Sequence, residues 1–316
     1  MEGSDLKDRN TWLREEITRM KKEKNALVMA HYYQRDEIQE IADFIGDSLA
    51  LARQAAKTDA DIIVMCGVHF MGETAKILCP DKKVLIPDVE AGCSLADSCN
   101  PEDFKEFVES HPDHTVISYV NTSAAVKALT DIVVTSGNAR KIVEQLPEDE
   151  NIIFGPDHNL GEYINSVTGR NMLLWKGACH VHDRFSIEKI AQMKKEHPGA
   201  KILVHPECRR PLQLIADKVG STAALLDFAQ KDDAKEYIVV TESGILFEMR
   251  KKCPGKIFLA APAEDAECQC NECDFMKLNT LEKVYRCLKD ESPEINVDKE
   301  LAQKALKPIE RMLAMS

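Results

Sequence analysis

The chain has 316 residues, 44% hydrophobic and 30% charged, with a formal net charge of −12. Such a composition belongs to a globular protein too long for one ordinary core, and its acidic balance argues against nucleic acid or an anionic membrane as the main partner. The longest apolar run, Ile62 to Met71, is broken by Gly67 and His69 and falls short of the roughly 18 residues that span a bilayer.

The first residues lack the basic start, apolar stretch and small-residue cleavage site of a signal peptide. A cytoplasmic protein is therefore expected. In that compartment eleven cysteines, an odd number, stay reduced, and some of them are expected to bind metal.

In chain order, Leu13, Ile17 and Met20 lie at helical spacing and predict an N-terminal packing helix. A β-rich run follows at Ala26 to His31, then a helical stretch and Ser48, then an apolar run from Ile62. The same order returns as Thr115 to Tyr119, Ser136 and a run from Asn151, and again as Ile202 to His205, Ser221 and a run from Tyr237. The chain thus repeats one unit at intervals of roughly 87 residues, and a period that long marks duplicated domains. Short strands alternating with helix-length patterns predict parallel sheets covered by helices. The fold class expected is α/β: three αβα sandwich domains around a pseudo-threefold axis, at 1–101, 102–188 and 189–316. Leu301, Ala305, Ile309 and Leu313 predict a closing helix.

A helix is expected to begin just after each serine, its hydroxyl capping the first turn and its free N–H groups forming an anion site. Ligands of such sheets collect outside the carboxyl ends of the strands, which places Ser48, Ser136 and Ser221 beside His31, Tyr119 and His205. Each copy also supplies a cysteine in a late, loop-like position: Cys93, Cys179 and Cys273. Three converging thiolates suit an iron-sulfur cluster that leaves one iron open for substrate, whereas full cysteinyl ligation suits an electron carrier. Cys268-x-Cys270-x-x-Cys273 alone would fit half a zinc site, but partners at zinc-ribbon spacing are missing. Cys99 is close enough in sequence to approach the Cys93 loop, and Cys66, Cys79, Cys208, Cys253 and Cys287 read as packing residues.

Several segments together resemble quinolinate synthases: Ala30-His-Tyr-Tyr-Gln34, Val64-Met-Cys-Gly-Val-His-Phe-Met-Gly-Glu-Thr-Ala-Lys-Ile-Leu78, Gly92-Cys-Ser-Leu-Ala96, Tyr119-Val-Asn-Thr-Ser123, Trp175-Lys-Gly-Ala-Cys-His-Val-His182, His205-Pro-Glu207 and Met276-Lys-Leu-Asn-Thr-Leu281. The resemblance implies a transferase-type condensation of iminoaspartate with dihydroxyacetone phosphate in NAD biosynthesis. It implies a 4Fe-4S cluster on Cys93, Cys179 and Cys273, with Cys270 in reserve because the C-x-x-C-x-x-C segment that some members carry is C-x-C-x-x-C here. It also implies coupling to L-aspartate oxidase and to the iron-sulfur assembly machinery.

Carried over residue by residue, the resemblance makes Tyr33 and Glu207 an acid-base pair and gives His31 and His205 positioning or protonating roles. Ser48, Ser136, Ser221 and Thr222 become anion binders, and Tyr119, Asn121 and His182 substrate contacts. Two other classes compete: an iron-sulfur electron carrier or redox sensor, and a zinc-stabilised sugar-binding protein without catalysis.

Overall fold

The computed structural model describes residues 2–264 and 271–316, with side chains from residue 8 onward. Cys268 and Cys270 lie outside the described residues. Twelve strands among them form three four-stranded sheets: β1 Ala26–His31, β2 Phe44–Gly46, β3 Ile62–Cys66 and β4 Lys83–Leu85; β5 Thr115–Tyr119, β6 Ile132–Val134, β7 Ile152–Gly155 and β8 Leu173–Leu174; β9 Lys201–Val204, β10 Lys218–Val219, β11 Glu236–Val240 and β12 Ile257–Ala260. Their orders are β2-β1-β3-β4, β6-β5-β7-β8 and β10-β9-β11-β12. Strand pairing within each sheet is parallel throughout.

The three sheets share one topology, as the repeat requires. Parallel strands need crossover helices, which cover both faces, so their central strands are apolar without alternation. Every residue of β3 and β7 is buried, and so is each residue of β11 after the first.

The chain forms two compact units. One comprises 1–93 with 274–299 and holds the first sheet; the other comprises 94–273 with 300–316 and holds the second and third. In the first unit Leu13, Ile17 and Met20 pack with Leu281, Val284, Cys287 and Leu288 against Val28, Ala30 and Val64. The helix Leu281–Asp290 thus closes the first sheet although it follows the third in sequence. In the second unit separate cores gather around Phe104, Val116 and Ile153 and around Phe185, Ile202 and Ile238. The closing helix, Lys299–Met315, buries Ala305, Pro308, Ile309 and Met312, a stripe shifted from the one expected because Leu301 and Leu313 stay half-buried. Asn138 and Gln145 bind its end by donating to Ser316 Oγ and the Met315 carbonyl. No helix among the described residues is long and apolar enough to cross a membrane.

A repeated clamp fixes the register of one outer strand in each sheet, β2, β6 and β10. Asp43, Asp131 and Asp217 accept from the backbone N–H of Val28, Val116 and Ile202 at 2.9, 2.8 and 2.7 Å. Their own N–H groups donate back to the carbonyls of the same three residues. Asp217→Ala should therefore lower stability by about 1 kcal/mol, and Asp217→Asn, which keeps an acceptor, should recover most of it. Urea midpoints of the two variants check this.

Candidate functional site

Parallel strands present all their carboxyl ends on one side of a sheet. His31 and Tyr119 are the last residues of β1 and β5, and His205 follows β9 directly, held by its N–H to the Val240 carbonyl. In the first unit His31 Nδ1 accepts from the backbone N–H of Tyr33 at 3.2 Å, and the two rings meet edge-on with centroids 4.5 Å apart. In the second unit His205 Nδ1 accepts from the N–H of Glu207 at 3.3 Å. An amide can only donate, so both imidazoles keep a lone pair on Nδ1 and carry any proton on Nε2. For His205, Nε2 faces Ser136 Oγ at 3.2 Å.

Glu207 is the centre of the second unit's site and is only 3% exposed. Tyr119 donates its phenol to Oε1, and His182 Nδ1 stands 2.9 Å from Oε2. Burial pushes this carboxyl up, but His182 and His205 beside it, with hydrogen bonds from His182 and Tyr119, outweigh burial and hold it at about 2. Glu207 is therefore ionised at neutral pH. The neighbouring Asp157 goes the other way: burial first, and then the charge on Glu207, raise it well above the ordinary carboxylate range. Two buried acids are thereby separated into different protonation behaviour by their surroundings.

His182 links this carboxylate to a cysteine. Its Nδ1 lies 3.2 Å from Cys179 Sγ, its Nε2 lies 2.9 Å from Thr241 Oγ1, and its ring stacks on His205 at 4.5 Å. Cys179, His182 and Glu207 offer ligand atoms within 4.8 Å of one another, a group able to hold a metal ion. Ser221 caps the helix Thr222–Lys231 by accepting from the Ala224 N–H. A β-carbon on Gly137, next to Ser136, would touch Ser221 Oγ at 3.4 Å, which brings these two serines to one spot. The Asn121 side-chain oxygen is buried without a hydrogen-bond partner in the protein, an acceptor position open to a ligand or to an amide turned the other way.

The helix starts depart from expectation in two copies. Asp47, not Ser48, caps the helix Ser48–Ala55, leaving Ser48 as its first residue. Ser136 stands three residues ahead of the helix Ala139–Glu144, whose N-cap is Asn138. The aspartate wins in the first copy because its carboxylate reaches the Ala50 N–H, a stronger acceptor arrangement than a hydroxyl provides.

Three carboxylate and hydroxyl groups escaped the sequence reading. Thr241 meets His182; Asp157 accepts from the Cys179 N–H at 2.8 Å; Glu242 accepts from the Cys273 N–H at 3.1 Å. The repeat carried the signal, since Asp157 and Glu242 both stand two residues beyond a central strand. The first copy has Val68 there.

A cluster ligand must be a reachable thiolate. Cys66, Cys79, Cys99, Cys208, Cys253 and Cys287 are buried, and burial pushes all six thiols up, Cys99 and Cys287 to about 12. Cys93, Cys179 and Cys273 alone among the described cysteines are partly exposed, and each sits in an irregular segment. Their donor chemistry fits an iron-sulfur cluster. The residues following two of them, Ser94 and His180, are hydrogen-bonded at 2.6 Å.

The strand ends of these parallel α/β sheets carry an ionised carboxylate, imidazoles and a phenol, with accessible thiols in nearby loops, the side-chain types of an α/β enzyme site able to move protons and to hold a metal. The family model for quinolinate synthetase A protein matches residues 15–314. A quinolinate synthase of Chloroherpeton thalassium is 57% identical over 302 residues, covering 96% of this chain and 94% of that protein. Those of Microcystis aeruginosa and a Synechococcus species are 56% and 55% identical over 300 residues, each covering 95% of this chain and 94% of its own. The chain belongs to the quinolinate synthetase A family.

The division among the cysteines has a direct test. Brief alkylation of metal-free, reduced protein should modify Cys93, Cys179 and Cys273 first, with Cys66, Cys99, Cys208 and Cys287 protected until denaturant is added. Peptide mass spectrometry reads the order.

Proposed function

We propose that this chain is a quinolinate synthase, joining iminoaspartate to dihydroxyacetone phosphate with loss of phosphate and two waters to build the pyridine ring of NAD. Family membership over nearly the whole length supports the reading. The observation that carries it is the buried Glu207 carboxylate, ionised and braced by Tyr119 and His182.

Cys93, Cys179 and Cys273 would hold a 4Fe-4S cluster, and three-cysteine ligation leaves an iron open to polarise a substrate hydroxyl or carbonyl as a Lewis acid. Glu207 is ionised at neutral pH and touches Tyr119 and His182, which places it to take the protons that isomerisation and dehydration release. Tyr119 and His182 already donate to it, so each is placed to pass a proton on. Tyr33 is the second acid-base group, its backbone fixed by His31. His205 presents Nε2 beside Ser136 and can protonate a leaving hydroxyl there.

Anionic parts of the substrates need donors. Ser221 accepts from its own helix and so keeps its O–H to donate. With Thr222 and the N-terminal end of a ten-residue helix it forms a phosphate or carboxylate site. Ser136 lies beside it, and Ser48 and Asn121 supply further contacts. Iminoaspartate is an imine that water destroys, which favours direct supply from an L-aspartate oxidase; iron-sulfur assembly proteins would load the cluster.

A second reading has its own observation, the close grouping of Cys179, His182 and Glu207. A single divalent ion there would make the protein a mononuclear metal enzyme. Anaerobic purification separates the two: about four iron and four sulfide per chain supports the cluster, whereas zinc without sulfide supports the single ion.

Cys93→Ala, Cys179→Ala and Cys273→Ala should each fail to assemble an intact cluster while Cys287→Ala retains it, as iron and sulfide analysis would show. Glu207→Gln should keep cluster and fold but lower quinolinate formation by about 10²- to 10⁴-fold. Activity per assembled cluster is the measure, and near-normal turnover would remove Glu207 from the mechanism.

A further inference from the structure

Eight residues beyond the strand-end residue, each copy of the repeat carries a long, buried hydrogen-bond donor. These are Gln39, Lys127 and Gln213, respectively 1%, 0% and 6% exposed. Each spans the loop that leaves its strand. Gln39 Nε2 donates to the Tyr32 and Gln34 carbonyls at 3.1 and 2.9 Å. Lys127 Nζ donates to the Val120 carbonyl at 2.9 Å and to that of Thr122. Gln213 Nε2 donates to the Pro206 and Cys208 carbonyls at 2.9 and 2.7 Å, with a longer contact to the Asn159 carbonyl at 3.4 Å. The residue between the two bound carbonyls is Tyr33 in the first copy, Asn121 in the second and Glu207 in the third.

From this threefold coincidence we infer that Gln39, Lys127 and Gln213 are positioning residues for the reaction. Each fixes the main chain on both sides of the side chain that meets substrate. This inference deepens the quinolinate synthase reading and rests on it for the identity of the reaction. A primary amide has two N–H donors and an ammonium three, so either satisfies two carbonyls at once. That shared capacity explains how one position can hold glutamine twice and lysine once. A buried carbonyl deprived of its donor pulls the loop towards a new partner, and a displacement of about 1 Å at a reacting group can cost about 10²-fold in rate.

The second copy, the one that uses lysine, allows the donor to be removed and then restored in the form of the sister copies. In the first and third copies the strand-end histidine also braces the loop, through the N–H of Tyr33 or Glu207. Tyr119 has no ring nitrogen to do the same.

Lys127→Met keeps length and removes the donors, and Lys127→Gln restores the arrangement of the sister copies. In cluster-loaded enzyme, Lys127→Met should lower kcat by about 10- to 100-fold at unchanged iron content. Lys127→Gln should recover kcat to within about threefold of the parent. A merely structural lysine would lower the melting temperature and the yield of loaded enzyme without this split in turnover per cluster. Should Lys127→Met not fold, Gln39→Lys takes its place and should retain kcat, since it too preserves two donors. Amide hydrogen exchange over residues 119–123, measured without substrate, separates this inference from the assignment of the reaction. Faster exchange in Lys127→Met but not in Lys127→Gln upholds the positioning role even if the parent makes no quinolinate. Parent-like kcat and exchange in Lys127→Met, a folded and loaded Lys127→Gln as impaired as Lys127→Met, or loss of kcat in a loaded Gln39→Lys would overturn it.

Discussion

A carboxylate with almost no contact with water has to be surrounded by donors, and Glu207 imposes that demand on its whole neighbourhood. Isolated, the charge would be expelled or neutralised at a cost of several kcal/mol. Here the phenol of Tyr119 comes from the second sheet and His182 from the segment after it, while Glu207 itself follows a strand of the third. His182 is in turn held by Thr241, and Asn159 binds the Glu207 carbonyl. The two sheets of this unit are therefore tied together through one ionised group, and the group that ties them is the one able to take a proton.

The three-copy architecture was legible because it is written in properties that survive divergence. Apolar strands and polar strand ends recur in step, and the sheet orders match. What lay between the copies was harder to read. The segment 274–299 folds with the first sheet, and nothing in the repeat distinguishes it from a tail of the third. Its attachment depends on Leu281, Val284 and Leu288 finding the face left open by Leu13, Ile17 and Met20, a pairing of two stripes that many other stripes could have satisfied.

The placement of the candidate residues at strand ends was legible where a residue type is costly to bury and recurs in step, such as His31 and His205. It was less legible where the acting atom belongs to the backbone or where a neighbour competes. Ser48 looked like a cap until Asp47 took that place. Asp157 and Glu242 looked like ordinary acids because their role is to receive the N–H of a cysteine far along the chain. The partner of Glu207 within the second unit is Tyr119, a contact that depends on the relative twist of two sheets and leaves no mark in spacing.

The sorting of thiols also shapes how such a protein ages. Oxidants attack thiolates that they can reach, and the first steps of that damage are reversible. Six of the described cysteines are buried among apolar side chains with their protons retained by desolvation. Among the described cysteines, injury is thus directed to the three in loops and away from the six in the interior. A chain oxidised at those positions would retain its packed sheets and remain a substrate for reduction, so repair rather than resynthesis becomes the economical fate.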